Sequence, residues 1–398
     1  MNQAFGEKLM MTFGLGNPNI TLTHKPEIIS SKDAVKYLVG KKNICILTGA
    51  GLSAASGIPT FRGQNGFWTK SYGDEVDPQV ILTEKFFCKN PQLNWKWHYD
   101  FYELRNKCKP NAGHHSILKF QEYCHQSKKA ESFLVTQNID DYHPKLIKQS
   151  QILMNGQEER KQGTKDFAFT PYVYEVHGNV DYMHCSEEDK DCSKLFYQAP
   201  DLKQVEDIEN HVPICKECGA NMKPHCMFFD ESYSEQYYRS DSVDNFVENK
   251  MDCLIVVGTA LATGLARRIV NKAIDKIECP VIEVNLETSI DRGFNLQILE
   301  KSETALDNMF NEYYRLSKLP TGLKNNTQKP QIKTNNQNSI AGRAGNVSAQ
   351  PKQQPKKEEI KSQKPALNKP AISQQKTQVT QQKVVSSIKS VQKQPAKR

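Results

Sequence analysis

Three short apolar runs, Ile44–Leu47, Phe133–Val135 and Leu254–Val257, each break off into a polar or glycine-rich turn: TGAG, TQNID and GTAL. A fourth run, Val281–Val284, stops at Asn285. Continuous apolar runs of this length read as parallel strands buried on both faces, a burial that needs helices packed above and below. Helical periodicity falls between them, at Ser31–Val39, Ala112–Tyr123 and Thr263–Ile274. Strand–turn–helix alternation predicts an α/β fold with a doubly wound parallel sheet, whose ligands belong at the carboxyl ends of the strands. Any cofactor is therefore expected in the turns just named.

Two stretches interrupt the alternation. Residues Gly178–Phe229 hold five of the 11 cysteines and little periodicity, the pattern of a small metal-held module inserted into the sheet domain. Lys145–Thr170 is polar and reads as a flexible surface loop. Beyond about Pro320 the chain turns to Lys, Gln, Pro, Asn and Ser with no aromatic residue and no cysteine. Such a stretch cannot bury enough surface to offset its ordering entropy, so disorder is expected there.

That tail also explains the charge. Thr321–Arg398 carries 14 Lys and 2 Arg against Glu358 and Glu359, a net +14, while the whole chain is only +8 and residues 1–320 are therefore −6. A basic nucleic-acid enzyme would be the wrong reading of the globular part. All cysteines lie between Cys45 and Cys279, their number is odd, and Met1–Ile20 has no secretory apolar core. A reducing, intracellular setting is expected, cytoplasmic or nuclear, where clustered cysteines more often hold metal than form disulfides. No run approaches the ~20 apolar residues that cross a bilayer.

The segment GAGLSAASGIPTFR, Gly49 to Arg62, places Gly49, Gly51 and Ala54 in the GxGxx(G/A) spacing. Glycines there let a backbone approach a pyrophosphate, whose charge the amino end of a following helix favours. Alone, the pattern is equally a tight structural turn. A plain dehydrogenase would continue through helix and strand to an acid about 20 residues on. Here the chain runs into IPTFRGQNGFW, which has the pattern of neither.

Together the motifs carry a more specific resemblance. GAGLSAASGIPTFR resembles the NAD loop of the sirtuin family, and TQNIDDYH (Thr136 to His143) its second motif. EVHG (Glu175 to Gly178) resembles its catalytic-histidine motif; VVGTAL (Val256 to Leu261) and EVNLE (Glu283 to Glu287) resemble its later nucleotide-binding turns. KPHCMFFDE (Lys223 to Glu231) is similar to its peptide-docking stretch. These motifs stand in the family's order across roughly Ser31–Lys318.

The resemblance implies a Rossmann-like NAD domain with an inserted small zinc-binding module, and three parts to the chain: a variable N-terminus (1–25), a catalytic domain (26–320) and the basic tail. It implies an NAD-dependent protein-lysine deacylase, in its simplest form a deacetylase, that transfers the acyl group to ADP-ribose and releases nicotinamide. His177 would be the catalytic base, a role that a neutral imidazole with an ordinary pKa of about 6.5 suits. Gln137, Asn138, Ile139 and Asp140 would line the nicotinamide pocket, with Asn138 on the ribose or a water and Asp140 on the carboxamide. Gly49, Ala50, Gly51, Ser53, Ser56 and Ile58 belong to the cofactor loop; both serines are equally helix caps. Phe61 would cover the reacting ribose, and Arg62 would order the loop or meet phosphate. Gly258 and Thr259 would bind phosphate or ribose, and Asn285 and Glu287 the adenosine end.

Cys215-Lys-Glu-Cys218-Gly is a CxxCG knuckle, half of a tetrahedral zinc site. Cys185 stands where the resemblance puts the first ligand, but Glu188 occupies the next position and Cys192 is the following cysteine. The expected set is Cys185, Cys192, Cys215 and Cys218 around one structural zinc. His184 or Asp189 in place of Cys192, and a metal-free module, remain alternatives.

For the substrate, the resemblance points to Met227, Phe228, Phe229 and Asp230 for the peptide. Thr60 replaces an aspartate of many sirtuins, and TFRGQNGFW resembles the desuccinylase-like branch, which reads an anionic acyl group with a Tyr and an Arg three residues later. Aligning Trp95 and PNAGH without gaps puts His98 and Phe101 there instead. A succinyl carboxylate buried without that arginine would cost several kcal/mol, so acetyl or a longer uncharged acyl group is expected. A shifted register would bring in Tyr102 and Arg105. The expected partners are acylated-lysine proteins, histones among the candidates. The tail would meet nucleic acid, chromatin or anionic lipid, or simply keep the protein in solution. Two other functions stay open: protein mono-ADP-ribosyl transfer, and an inactive NAD-sensing adaptor.

Overall fold

In the computed structural model, which describes residues 26–60, 77–293 and 295–317, seven strands form one parallel sheet. They are β1 (Glu27–Ile28), β2 (Asn43–Thr48), β3 (Glu131–Thr136), β4 (Val173–Glu175), β8 (Cys253–Val257), β9 (Val281–Val284) and β10 (Leu296–Ile298). Their order across the sheet is β1-β10-β9-β8-β2-β3-β4, and every pairing is parallel. The four apolar runs of the sequence are the four contiguous strands β9, β8, β2 and β3. β1 and β10, at two and three residues, are too short to leave a hydrophobic period.

Ten α-helices accompany the strands among the described residues: α1 (Ala50–Ala54), α2 (Pro78–Ile81), α3 (Glu84–Phe87), α4 (Pro91–Lys107), α5 (Ala112–Ser127), α6 (Tyr142–Gln149), α7 (Glu235–Tyr238), α8 (Ser240–Asn249), α9 (Gly264–Lys272) and α10 (Ser302–Leu316). Strand side chains alternate between faces, and the packing follows. Ile44, Ile46, Leu134, Ile255 and Ile282 meet Phe120 of α5 and Phe310 of α10 on one face. Cys45, Leu47, Val135, Leu254 and Val256 meet Val247 of α8 and Leu265 and Ile269 of α9 on the other. Phe120 and Phe310 stack at 4.3 Å, and Phe133 stacks on Phe246 at 3.8 Å. Each such side chain, fully buried, stabilises the fold by about 1.5–3 kcal/mol.

Residues within Gly178–Phe229 do form a separate module. β5 (Gly178–Cys185) pairs antiparallel with both β6 (Tyr197–Gln198) and β7 (Met222–Cys226), in the order β6-β5-β7. Gly178, at φ +79°, begins β5 directly against β7; a Cβ there would run into the His225 carbonyl.

Three expectations change. Ser31–Val39 is not an α-helix: only Asp33–Tyr37 is helical, as a 3-10 turn, because Gly40 at φ +88° reverses the chain after Ala34, Val35 and Leu38 are buried. Thr263–Ile274 is α-helical through Lys272 and then widens into a π turn, Ala273–Ile277. Lys145–Thr170 is not a free surface loop. α6 runs to Gln149, Leu153, Ala168 and Thr170 are buried, and Thr164 forms a β-bridge with Phe196. Arg160 satisfies the strap's carbonyls at Asp166 and Phe169, which a polar composition cannot reveal. The tail from Thr321, residues 1–25, and Phe61 and Arg62 lie outside the described residues. Among the described residues, no helix is long and apolar enough to cross a membrane.

Candidate active site and metal centre

The carboxyl ends of β2, β3, β4, β8 and β9 bring five sequence-distant turns to one edge of the sheet. Gly49 N–H donates to Val257 O at 3.0 Å, Gly51 N–H to Gly258 O at 2.7 Å, and Gly258 N–H to Val284 O at 3.0 Å. The contact is backbone to backbone. A Cβ on Gly49 would lie 2.6 Å from the Thr259 Cβ, and one on Gly51 2.8 Å from the Gly258 Cα. Glycine is therefore required here by packing as well as by any ligand.

Polar side chains knit the turns together. Asn138 Nδ2 donates to Gly49 O at 3.1 Å and to Ser53 Oγ at 3.2 Å, and Ser53 Oγ donates to Asp140 Oδ2 at 2.6 Å. Gln137 Nε2 donates to Thr259 Oγ1 at 3.0 Å, while its Oε1 accepts from Thr263 Oγ1 at 2.9 Å. Asn111, the N-cap of α5, donates to Ser56 Oγ at 2.9 Å. Asn285 Nδ2 reaches Thr259 O at 3.2 Å, and Glu287 is exposed beside it. Ile58 and Ile139 are buried and share a hydrophobic cluster with Trp97 and Phe101 of α4. Ala50 opens α1, which is only five residues long. Behind the turns, burial drives His114 and His143 down to about 3, so both rings are neutral.

His177 follows β4 and faces the same edge. Its Nδ1 lies 3.0 Å from the Gln137 carbonyl oxygen, its Nε2 3.0 Å from the Tyr233 hydroxyl, and its own carbonyl accepts from Met227 N–H at 2.9 Å. A carbonyl only accepts, so Nδ1 carries the proton and Nε2 the basic lone pair. Desolvation pushes the imidazole down to about 4, against the opposing bond to Gln137. At neutral pH the ring is an uncharged base. Tyr233 was not marked by any motif, because it lies in irregular chain between β7 and α7.

A second buried network holds this base to the TQNID turn. Asn179 Nδ2 donates to Asp141 Oδ1 at 2.9 Å and to Glu175 Oε1 at 2.8 Å. Burial, with Asp181 next, raises Asp141 to about 7; burial, with Asp141 next, holds Glu175 well above its usual range. One asparagine amide thus bridges two carboxyls that burial holds above their usual range, one after the TQNID turn and one two residues before His177.

The Sir2 family profile matches residues 49–263, more than half of the chain. The chain belongs to the Sir2 family. It is 30% identical over 276 residues to the NAD-dependent protein deacylase of Aquifex aeolicus (strain VF5), an alignment covering 69% of this chain and 95% of the relative. The NAD-dependent protein deacylase of Pyrococcus abyssi (strain GE5 / Orsay) is 29% identical, with 65% and 87% covered. Among solved structures, the chain is similar at 27% identity and a TM-score of 0.53 to one determined for the structural basis of the mechanism and regulation of Sir2 enzymes, covering 72% of this chain and 98% of that one.

In this Sir2 chain the four expected cysteines converge. The sulfurs of Cys185, Cys192, Cys215 and Cys218 all lie within 4.8 Å of one another. A zinc ion about 2.3 Å from each of four sulfurs would hold them roughly 3.8 Å apart; Cys185 and Cys218 stand at 3.4 Å. The knuckle is preorganised: Cys215 N–H donates to Ala220 O, and Gly219, at φ +77°, donates to Cys215 O. The Ala220 backbone bond leads in drawing the Cys218 thiol down to about 7. Neither alternative ligand joins the set. His184 packs among Phe196, His225 and Tyr237, and Asp189 is exposed. Phe87, Trp95 and Phe228 cover the cluster, with Trp95 Nε1 donating to Met222 O at 2.8 Å.

The substrate-side residues divide. Met227 is half-buried and Phe229 exposed, whereas Phe228 is buried against Phe87. The Asp230 carboxylate accepts from Glu84 N–H and Lys85 N–H at the start of α3. His98 and Phe101 are both buried in α4: His98 Nδ1 bonds Asn94 O at 2.8 Å, and Phe101 stacks on Trp97 at 5.7 Å. Arg105 is already paired. It donates to both Asp181 carboxylate oxygens and lies 4.6 Å over the Tyr102 ring.

Proposed function

We propose that this chain is an NAD-dependent protein deacylase that moves an acyl group from a lysine side chain to ADP-ribose and releases nicotinamide. The observation that carries this reading is the neutral His177, held in one tautomer by Gln137, at the edge where the glycine turns of β2 and β8 meet. Bound NAD supplies the electrophilic ribose carbon. In this reading Gly49, Ala50, Gly51, Ser53, Ser56, Ile58, Gly258 and Thr259 hold its phosphates and proximal ribose. Gln137, Asn138, Ile139 and Asp140 orient the nicotinamide, and Asn285 and Glu287 face the adenosine. His177 Nε2 takes a proton from a ribose hydroxyl, and Ile58 and Ile139 help exclude water.

The catalytic domain is residues 26–320. Cys185, Cys192, Cys215 and Cys218 hold a structural zinc, since four protein ligands leave no position open for chemistry. The acylated peptide adds as a strand beside Met227–Asp230, where backbone pairing tolerates many sequences. The acyl group is uncharged: Arg105, the cation that a shifted register would offer to a carboxylate, is committed to Asp181. A panel of acetyl, succinyl, myristoyl and unmodified lysine peptides with NAD, read by mass spectrometry, tests this. Loss of the acetyl or myristoyl mass with equimolar nicotinamide is expected. A gain of ADP-ribose mass on the peptide or enzyme, without deacylation, would replace this reading with transferase activity.

A further inference from the structure

We propose that Tyr233 is a positioning residue for the base, its hydroxyl capping Nε2 of His177 until a ribose hydroxyl takes its place. The inference rests on the reading of His177 as that base. Nδ1 is committed as a donor to Gln137 O at 3.0 Å, so Nε2 has a single lone pair to offer. The only group that can sit 3.0 Å from it is a donor, and the phenol hydroxyl is that donor. The two ring planes are 29° apart with centroids 6.0 Å apart, so the phenol meets the imidazole end-on, with its hydroxyl at the Nε2 edge.

The phenol is partly buried beside α9. At the amino end of α9, Thr263 and the Leu265 backbone favour the ionised phenol against the burial that raises its pKa, while the Thr263 hydroxyl proton itself goes to Gln137 Oε1. The base must exchange one donor for another. Tyr233 is also only three residues past Asp230 in the proposed peptide-docking stretch, so peptide binding and the cap share one segment of chain.

A hydrogen bond donated to the neutral ring disfavours its protonated form. Tyr233 thus works in the same direction as burial, which alone among the causes acting on His177 lowers its pKa. Arg268 of α9 is the one charged group bearing on Tyr233 among the described residues. No charged group is among the causes acting on His177, and Glu175, two residues before it, is bonded to Asn179.

The test compares full-length wild type, Tyr233→Phe and His177→Gln. Imidazole titration by NMR of isotope-labelled histidine, with His177→Gln to assign the signal, gives the His177 midpoint directly. In Tyr233→Phe that midpoint, and with it the acid limb of kcat/KM for deacetylation, moves up by about one pH unit. A merely structural role would lower the melting temperature and leave both unmoved. Unmoved values in a folded Tyr233→Phe protein overturn the inference. In the wild type alone, the Nε2 nitrogen shift must also change when ADP-ribose is added; no change in an occupied site overturns the exchange. If His177→Gln still deacylates, the base reading itself has failed. If His177→Gln is inactive and Tyr233→Phe is silent, only the capping role has.

Discussion

The backbone carbonyl of Gln137 lies 3.0 Å from Nδ1 of His177, so the turn after β3 sets the tautomer of a residue 40 positions away. That contact makes Nε2 the basic nitrogen. Replacing His177 with Ala should lower deacylation by about 10²–10⁴-fold, the usual contribution of a positioned base, in a protein that still melts cooperatively. Product formation measured by mass spectrometry checks this.

The pH profile should be displaced for the same reason. Burial holds His177 near 4 rather than 6.5, so the base stays deprotonated well below neutrality. Deacylation should hold level from about pH 8 down to about pH 5, where an exposed histidine would already be more than 90% protonated. An initial-rate profile with a half-point near 6.5 would contradict the assignment.

Ser53 joins Asn138 to Asp140. Ser53→Ala removes the hydroxyl that accepts from one and donates to the other, leaving buried polar groups short of a partner at a cost of about 1–3 kcal/mol. The expected result is a lower melting temperature together with a raised KM for NAD. Unchanged values for both would mean that the two side chains hold their places without it.

Metal content follows from the four sulfurs. The purified chain should carry one zinc, and Cys192→Ala should lose it as fully as Cys215→Ala does, since a site short of one ligand loses affinity steeply. Elemental analysis with chelator titration decides. Stripped protein should melt lower, because the β5–β7 module loses its cross-link, and retention of zinc by Cys192→Ala would return His184 or Asp189 to the set.

Acid should destabilise the fold before it silences the base. His98, His114, His143, His184 and His225 are buried and held neutral by desolvation, the first near 4, the next two and the last near 3, and His184 well below 6.5. Their folded values lie below their unfolded ones, so the unfolded state binds more protons as pH falls through about 6.5. Each ring costs up to about 1.4 kcal/mol per pH unit below that point. Asp141, raised in the fold to about 7, acts the opposite way between about 4 and 7, and Glu175, raised by burial, acts in the same sense as Asp141, but the two are outnumbered. Urea denaturation should give a lower midpoint at pH 5 than at pH 7; a higher midpoint at pH 5 would refute this balance.

Much of the architecture was legible in the chain. A strand buried on both faces must be apolar throughout, so β2, β3, β8 and β9 could be read to within one or two residues. Gly49 and Gly51 were legible because their packing against Gly258 leaves no room for a Cβ. β1 and β10 were not, since two or three residues carry no period. The strap at Lys145–Thr170 misled because its buried positions, Leu153, Ala168 and Thr170, are few and its backbone is satisfied by Arg160.

The amino-acid sequence by itself determined the four central strands of the sheet, the turns at their carboxyl ends and the four cysteines, because each depends on local requirements that residue type and spacing express directly. Tertiary structure alone decided which groups meet. Asp181 takes Arg105, Asn179 bridges Asp141 and Glu175, and Tyr233 reaches His177 from 56 positions away. Those pairings depend on how separate elements pack, and no residue in the sequence near His177 announces that a phenol will cap it.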